Sequence, residues 1–140
     1  MTDQDMELSV VCRWCGQVRT LPYAMPPEEA EEWAARHCDC RDAAAYRARL
    51  EDAARRERDL LRARNTIYDL CGPGAEAYDR EGISDQACDL LQEIATEVYD
   101  RRIDAATLKY AGTIQVKISR TARGLLKVER KDTDKLTSEI

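Results

Sequence analysis

The 140-residue chain contains no phenylalanine and only one histidine, and the second shortage excludes much of enzyme chemistry. With His37 alone, neither a two-histidine metal site nor the helix motif of the zinc proteases can be built. His37 also stands beside cysteines with metal-ligand spacing, which argues against its use as the base of a Ser–His triad. A Walker loop and the Gly-x-Gly-x-x-Gly motif are absent as well. We therefore expect a protein that is not an enzyme.

Long apolar segments are also missing. No run approaches the ~18–20 apolar residues that a membrane-spanning helix needs. The first eleven residues are acidic and lack the basic and apolar segments of a secretory signal. We expect no membrane association and a cytoplasmic location. In such a reducing compartment, the six cysteines indicate metal ligands or buried thiols rather than disulfides.

Lysine does not occur in the first 108 residues, which carry 14 arginines against 23 acidic residues. Residues 109–131 reverse this balance with seven basic residues and one acid, although the net charge of the whole chain is −5. Such a split indicates two surfaces with different partners. The alternative is that the basic residues are simply the solvent-facing positions of strands.

Three helices are predicted from capping residues and apolar spacing. A short helix begins at Pro27, which suits a first turn, and ends near Arg36. A long helix, rich in good helix formers, runs from about Arg41 to about Leu70 and is stopped by a Cys-Gly-Pro-Gly segment. A third helix follows Ser84 as its N-cap, and we expect its broad apolar face to pack on the long helix.

Alternating apolar residues predict strands near both ends of the chain. Residues 8–21 indicate two strands around a tight turn, and residues 114–128 indicate a basic β-hairpin whose turn contains Gly124. Residues 104–111 are predicted to form a short helix or an irregular stretch. The fold class is therefore α+β, mainly α: an N-terminal zinc knuckle and hairpin, a long helix packed with a second amphipathic helix, and a C-terminal β-hairpin.

These elements define four regions, which we expect to form one compact unit. They are a zinc-knuckle region (1–40), a helical region (41–108), a basic β-hairpin (109–131) and a flexible tail (132–140). Because the chain has few large apolar residues for its length, long helices or a metal ion are expected to supply additional stability.

Four cysteines form the most specific chemical pattern. Cys12 and Cys15 make a Cys-x-x-Cys turn followed by glycine, and Cys38 and Cys40 lie at the junction of two predicted helices. Four thiolates at about 2.3 Å close a tetrahedron around Zn²⁺ and leave no position open for water. We therefore expect a structural zinc ion. The alternatives are His37 as a ligand in place of Cys38, and disulfides among these cysteines.

The basic hairpin is the candidate nucleic-acid surface. Five of its residues are expected to line phosphates: Lys117, Arg120, Arg123, Lys127 and Arg130. Only Tyr110 lies nearby to stack on a base, so sequence-specific recognition is not expected. Trp14 and Tyr110 are the candidate partner contacts. The simpler interpretation of Trp14 is that it faces solvent or packs over the metal site.

Three stretches resemble small proteins encoded by tailed phages and prophages of Gram-positive bacteria. They are Cys12-Arg13-Trp14-Cys15-Gly16-Gln17, Cys38-Asp39-Cys40, and Val116-Lys117-Ile118-Ser119 with Gly124-Leu125-Leu126-Lys127-Val128-Glu129-Arg130. The resemblance spans most of the chain, and the cysteines are its specific part. It implies an accessory factor such as a regulator, a host-takeover protein or an inhibitor of bacterial defence.

The expected function is that of a zinc-stabilised phage accessory protein in the host cytoplasm that binds and inhibits a host nucleic-acid-handling complex, as an anti-CRISPR or other counter-defence protein does. It depends on the missing catalytic groups, the split charge and the resemblance. The alternative is a nucleic-acid-binding regulatory protein that uses the basic hairpin and the zinc knuckle. A third hypothesis is a homodimer through the long helix.

Overall fold

The computed structural model describes residues 6–133 and confirms the α+β class. The chain divides into two compact units, of which unit 1 ends at Arg55 and unit 2 begins at Arg56. Helix α2 (Arg41–Cys71) contributes residues to both units. Each unit has hydrophobic clusters of its own.

Unit 1 begins with an antiparallel hairpin of β1 (Glu7–Val11) and β2 (Val18–Met25), as predicted. Helix α1 (Pro27–His37) follows and packs against the hairpin. The contact face of α1 is made of small side chains, with Ala30, Ala34 and Ala35 all about 1% exposed. Small residues let the helix approach the strands closely, which suits a unit that has few large apolar residues to bury.

Unit 2 contains the rest of α2, a 3-10 helix (Pro73–Tyr78), helix α3 (Asp85–Tyr99) and a three-stranded sheet. The predicted cap of α3 is confirmed, because the hydroxyl of Ser84 accepts the N–H of Ala87 at 3.1 Å. Helices α2 and α3 share one hydrophobic core with the inner face of the sheet. Its buried members are Ala63, Ile67, Cys71, Ile83, Leu91, Ala95, Val98, Ile114, Val116 and Ile118.

The sheet of unit 2 has the order β3–β4–β5, all antiparallel, with β3 at Ala105–Tyr110, β4 at Ile114–Arg120 and β5 at Leu126–Asp132. The predicted β4–β5 hairpin is confirmed. The prediction of a short helix or irregular stretch at 104–111 is wrong, because most of this segment, Ala105–Tyr110, forms β3. Pairing with β4 outweighs the helical preference of alanine there.

The middle of α2, residues 51–58, is exposed on all sides. Within this stretch Arg55 forms ion pairs with Glu51 at 3.5 Å and with Asp52 at 3.3 Å, which are contacts of neighbouring helical turns. No helix in residues 6–133 has both the length and the apolar composition needed to cross a bilayer. Of the predicted flexible tail, Asp132 ends β5, and residues 134–140 lie outside the described part of the chain.

Candidate metal centre

The turn between β1 and β2 carries the first two cysteines and is closed by backbone hydrogen bonds. The N–H of Gly16 donates to the carbonyl oxygen of Cys12, and the N–H of Cys12 donates to that of Gln17, both at 2.9 Å. Gly16 has a φ of 77°, a conformation that glycine adopts without the strain of a Cβ. The glycine after Cys15 therefore allows the tight turn that the sequence predicted.

The second pair of cysteines occupies the junction between α1 and α2. Cys38 has extended backbone angles directly after α1, and Cys40 directly precedes α2. The sulfur of Cys40 accepts the N–H of Ala43 at 3.4 Å, so it caps the first turn of α2. Arg47, one turn further on, donates to the carbonyl oxygen of Cys38 at 2.7 Å and thereby fixes the junction.

The four sulfur atoms converge on one point. Those of Cys12, Cys15, Cys38 and Cys40 all lie within 4.8 Å of one another. The Sγ–Sγ distance is 3.7 Å between Cys12 and Cys40 and 3.5 Å between Cys15 and Cys38. All four are free thiols, since a disulfide would join two sulfurs at about 2.05 Å. The arrangement can hold a metal ion.

The electrostatics of the cluster favour negative charge at some sulfurs and oppose it at others. The backbone N–H of Cys40 is the main cause that lowers the pKa of Cys38 to about 6. For Cys15 the N–H of Gln17 favours the thiolate, but the neighbouring Cys38 sulfur and burial outweigh it and raise the pKa to about 11. Four adjacent thiolates repel one another, so all four lose their protons together only when a cation neutralises them.

Arg19 of β2 supplies a fixed positive charge beside the cluster. The nearby sulfur of Cys38 is the main cause that raises the pKa of Arg19, and the guanidinium also pairs with Asp39 at 3.5 Å. Arg19 was not predicted from the sequence as part of this site. Its position on the strand that leaves the cysteine turn is the signal that could have identified it.

His37 lies outside the sulfur cluster. Its Nδ1 atom is 2.7 Å from the carbonyl oxygen of Trp33, and its ring stacks on the Trp33 ring with centroids 4.3 Å apart. The structure therefore brings Cys38, and not its neighbour His37, to the other three cysteines.

Trp14 packs over the cluster on one side and is only partly buried. Its ring lies 5.4 Å from that of Tyr46, and the guanidinium of Arg13 lies 4.7 Å from the Trp14 centroid. The hydroxyl of Tyr46 in turn donates to both carboxylate oxygens of Glu32, at 2.7 and 2.8 Å. This network connects the cysteine turn to both helices of unit 1, which matches the simpler interpretation of Trp14.

The residues of the basic hairpin point to different surfaces. Lys117 and Lys127 project from the outer face of the sheet, whereas Arg120 and Arg123 lie at the β4–β5 turn. Arg130 is turned inward, with a side chain only 5% exposed, and donates to the carbonyl oxygens of Leu70 and Glu81. Arg130 therefore stabilises the interior of unit 2 instead of lining a phosphate-binding surface.

Two further lysines, Lys109 and Lys131, share the outer face with Lys117 and Lys127. Strand register sets Lys109 and Lys131 on either side of Gln115, and sets Lys117 beside Glu129. We call this surface the lysine face. It consists of Ala105, Thr107, Lys109, Gln115, Lys117, Ser119, Lys127, Glu129 and Lys131. If β3 had been recognised as a strand, the alternation of its side chains would have placed Lys109 on the lysine face from the sequence alone.

Tyr110, the predicted stacking residue, is half-buried against the core of unit 2. Its hydroxyl accepts the N–H of Ser84 at 3.3 Å, next to the start of α3. Alternation along β3 sets it on the inner face, opposite to the lysine face. The tyrosine therefore holds β3 against α3.

No family model, no curated protein and no solved structure matches this chain. The resemblance to phage proteins consequently stays a prediction.

Proposed function

We propose that this chain is a zinc-stabilised, non-enzymatic protein that binds the phosphate backbone of nucleic acid through the lysine face. The observation that carries the proposal is the location of the lysines. Within residues 6–133, every lysine lies on this one face of the sheet, and all four are exposed.

The choice of zinc follows from the donor set and the sulfur spacing. A tetrahedral Zn²⁺ with bonds of about 2.3 Å requires sulfurs about 3.8 Å apart, close to the 3.7 Å between Cys12 and Cys40. Thiolate ligands favour Zn²⁺ over hard ions such as Mg²⁺ and Ca²⁺. Four thiolates also leave the ion no open position, so its role would be to hold β1, β2 and the α1–α2 junction together.

The lysine face has the properties of a surface for a polyanion. Four ammonium groups against the single carboxylate of Glu129 give it a net charge of +3. Lys127 is paired with that carboxylate at 2.9 Å, which leaves Lys109, Lys117 and Lys131 as the strongest candidates for phosphate contacts. The intervening side chains of Thr107, Gln115 and Ser119 are hydrogen-bonding groups that also suit phosphate and sugar oxygens.

The composition of the face also predicts how it binds. The face presents no aromatic ring on which a base could stack. Lysine carries a flexible point charge and, unlike arginine, has no planar group with which to recognise the edge of a base. The binding should therefore be independent of sequence and strongly dependent on salt.

Fluorescence anisotropy with mixed-sequence single- and double-stranded DNA and RNA, over a range of salt concentrations, tests the proposal. Replacement of Lys109, Lys117 and Lys131 by glutamine should reduce the slope of log affinity against log salt by about 0.9 for each lost duplex phosphate contact. The matched control replaces three exposed arginines of α2, Arg49, Arg58 and Arg62, by glutamine. Equal loss in both triple variants, or no binding by the parent, would contradict the proposal.

A second candidate, the binding and inhibition of a host protein complex, is favoured by the outer surface of the β1–β2 hairpin. Val11 and Val18 are paired there and are 51% and 65% exposed, and Leu8 and Tyr23 of the same two strands are exposed as well. Exposed apolar groups of this kind are typical of protein-binding surfaces. Capture of one host complex that is lost with Val18→Lys, but kept in the triple lysine variant, would support this candidate over the first.

A further inference from the structure

We propose that unit 2 contains a site for a phosphate monoester at the β4–β5 turn, formed by Arg101, Arg120 and Arg123. This site is separate from the lysine face, and the inference does not depend on the proposed function. The ligand group is a phosphate dianion, carried either by free inorganic phosphate or by the end of a nucleotide or nucleic-acid strand.

The three arginines line one open cleft of about 420 Å³, together with Asp104 and the turn residues 121–124. They come from two different places in the chain: Arg101 follows α3, whereas Arg120 and Arg123 belong to β4 and the turn after it. Three guanidinium groups against one carboxylate give the lining a net charge of +2. This charge is the complement of a phosphate dianion, and guanidinium is the side chain best shaped to bind its oxygens.

Arg120 has hydrogen-bonding capacity that the protein does not use. Its side chain is 18% exposed, and its Nε is buried without a hydrogen-bond partner among the described residues. The nearest carboxylate, that of Asp104, is fully exposed and stays 3.8 Å from the guanidinium, which is too far for a hydrogen bond. The Nε atom is too buried for a ligand in the open cleft to reach, so the donors that Arg120 offers to a ligand are its terminal nitrogens, which make no hydrogen bond to the described residues.

Arg101 occupies a strained backbone position at the edge of the same cleft. Its φ is 63°, and its N–H donates to the carbonyl oxygen of Val98 at the end of α3. Glycine is the usual residue in this left-handed position after a helix. The backbone of Arg101 is therefore strained, and this arginine lies beside two others. Backbone strain of this kind clusters at functional sites, which points to a role in binding.

The turn itself adds backbone donors. The N–H of Gly124 donates to the carbonyl oxygen of Thr121 and that of Thr121 to Leu125, which closes the turn. In the described part of the chain, the N–H groups of Ala122 and Arg123 have no acceptor. Successive free N–H groups in a turn are suited to anion binding.

The test is a titration of the full-length, metal-loaded protein with inorganic phosphate, followed by backbone amide NMR. We expect saturable shifts centred on residues 121–124. Arg101→Gly removes a guanidinium and also relieves the positive φ, and Arg123→Gln changes an exposed residue, so both variants should fold. Each should weaken phosphate binding about tenfold. The control Arg58→Gln, an exposed arginine of α2, should bind as the parent does.

Asp104→Asn separates a binding role from a structural one. Loss of this carboxylate should tighten phosphate binding, whereas a purely structural set of arginines would show no gain. The lysine-face triple variant should bind inorganic phosphate as well as the parent, so failure here is distinguishable from failure of the nucleic-acid proposal.

Two further ligands identify the source of the phosphate. Tighter binding of a 5′-phosphorylated than of a 5′-hydroxyl oligonucleotide, lost in Arg101→Gly, supports a strand end as the ligand. Equal binding of the two oligonucleotides, with saturable inorganic phosphate, supports free phosphate. Absence of saturable phosphate shifts, or unchanged affinity in both Arg101→Gly and Arg123→Gln, would overturn the site.

Discussion

Arg130 on β5 donates a hydrogen bond to the carbonyl oxygen of Leu70, which lies in the last turn of α2 and 60 positions earlier in the chain. The same guanidinium donates to the carbonyl oxygen of Glu81 at 2.6 Å and to the carboxylate of Asp132 at 2.8 Å. Helix ends leave carbonyl groups without partners inside the helix, and Arg130 supplies a donor for one of them. One side chain thus joins the sheet, the end of α2 and the segment before α3.

Arg130→Met should therefore lower the free energy of unfolding by about 2–4 kcal/mol, because it leaves several acceptors without their donor. Urea unfolding at neutral pH measures the change. Arg123→Met, on the exposed turn, is the matched control and should stay within about 0.5 kcal/mol of the parent. If the Arg130→Met variant is as stable as the parent and has lost only nucleic-acid binding, Arg130 contacts phosphate and does not stabilise the interior of unit 2.

Asp132 links the stability of unit 2 to pH. The guanidinium of Arg130, followed by Arg80, holds the pKa of this carboxyl below its usual value of 3.8. A carboxyl with a lowered folded-state pKa contributes stability above its unfolded pKa and loses that contribution as the pH falls through the folded value. The contribution is present at neutral pH and disappears in strong acid.

Asp132→Asn should thus be less stable than the parent by about 1.5–3 kcal/mol at pH 7, and the difference should shrink towards zero below the folded pKa. Urea midpoints of both proteins between about pH 7 and pH 2 provide the measurement. Because both lose metal and protonate their other carboxylates alike, the difference isolates Asp132. A difference that stays constant with pH would mean that packing, and not charge, explains the effect.

The four-cysteine centre predicts one zinc ion per chain after purification under reducing conditions. Cys38→Ser should make the zinc content sub-stoichiometric and unfold unit 1, since structural zinc in small domains is worth about 10–16 kcal/mol in apparent binding free energy. Elemental analysis and circular dichroism measure the two effects. Cys88→Ser, in α3 and outside the cluster, should keep full zinc content. A metal-free parent that is fully folded would disprove the centre.

Gly74, in the 3-10 helix after α2, should not tolerate a side chain. A Cβ at this position would lie 2.9 Å from the Cα of Asp69 and 3.1 Å from the carbonyl oxygen of Tyr68. Because both are backbone atoms of a helix, they cannot move without cost, and Gly74→Ala should destabilise unit 2 by about 1–3 kcal/mol in urea unfolding. Gly112→Ala is the comparison, because a Cβ there would meet only open space whereas the φ of 79° is strained for alanine. Its loss of stability therefore measures backbone strain without steric overlap.

The helices could be predicted from the sequence because their signals are local. Pro27, Ser84 and the Gly72-Pro73 stop each act within one turn, and the observed bounds of Pro27–His37, Arg41–Cys71 and Asp85–Tyr99 follow them closely. The four cysteines could be grouped for a similar reason. Their spacing and the glycine after Cys15 are typical of metal sites and can be recognised in the sequence alone.

Strand β3 could not be predicted, because the first of the two positive-φ positions in its turn carries alanine and only the second, Gly112, carries a residue that is usual there. Ala111 takes a φ of 52° in the β3–β4 turn, where asparagine, aspartate or glycine would have given the signal. The inward position of Arg130 was missed because it depends on acceptors far away in the chain. An arginine that alternates with apolar residues on a strand looks, in the sequence, the same as one at the edge of a basic surface.

The segregation of lysine in this chain has a consequence for its chemistry. Arginine supplies the basic groups elsewhere in the described residues, so the side-chain amines of residues 6–133 all belong to one face of one sheet. Acetylation, reductive methylation or amine-directed coupling would therefore modify that face and leave the remaining basic side chains intact. Among the described residues, a fluorophore attached through side-chain amines would therefore label this face alone.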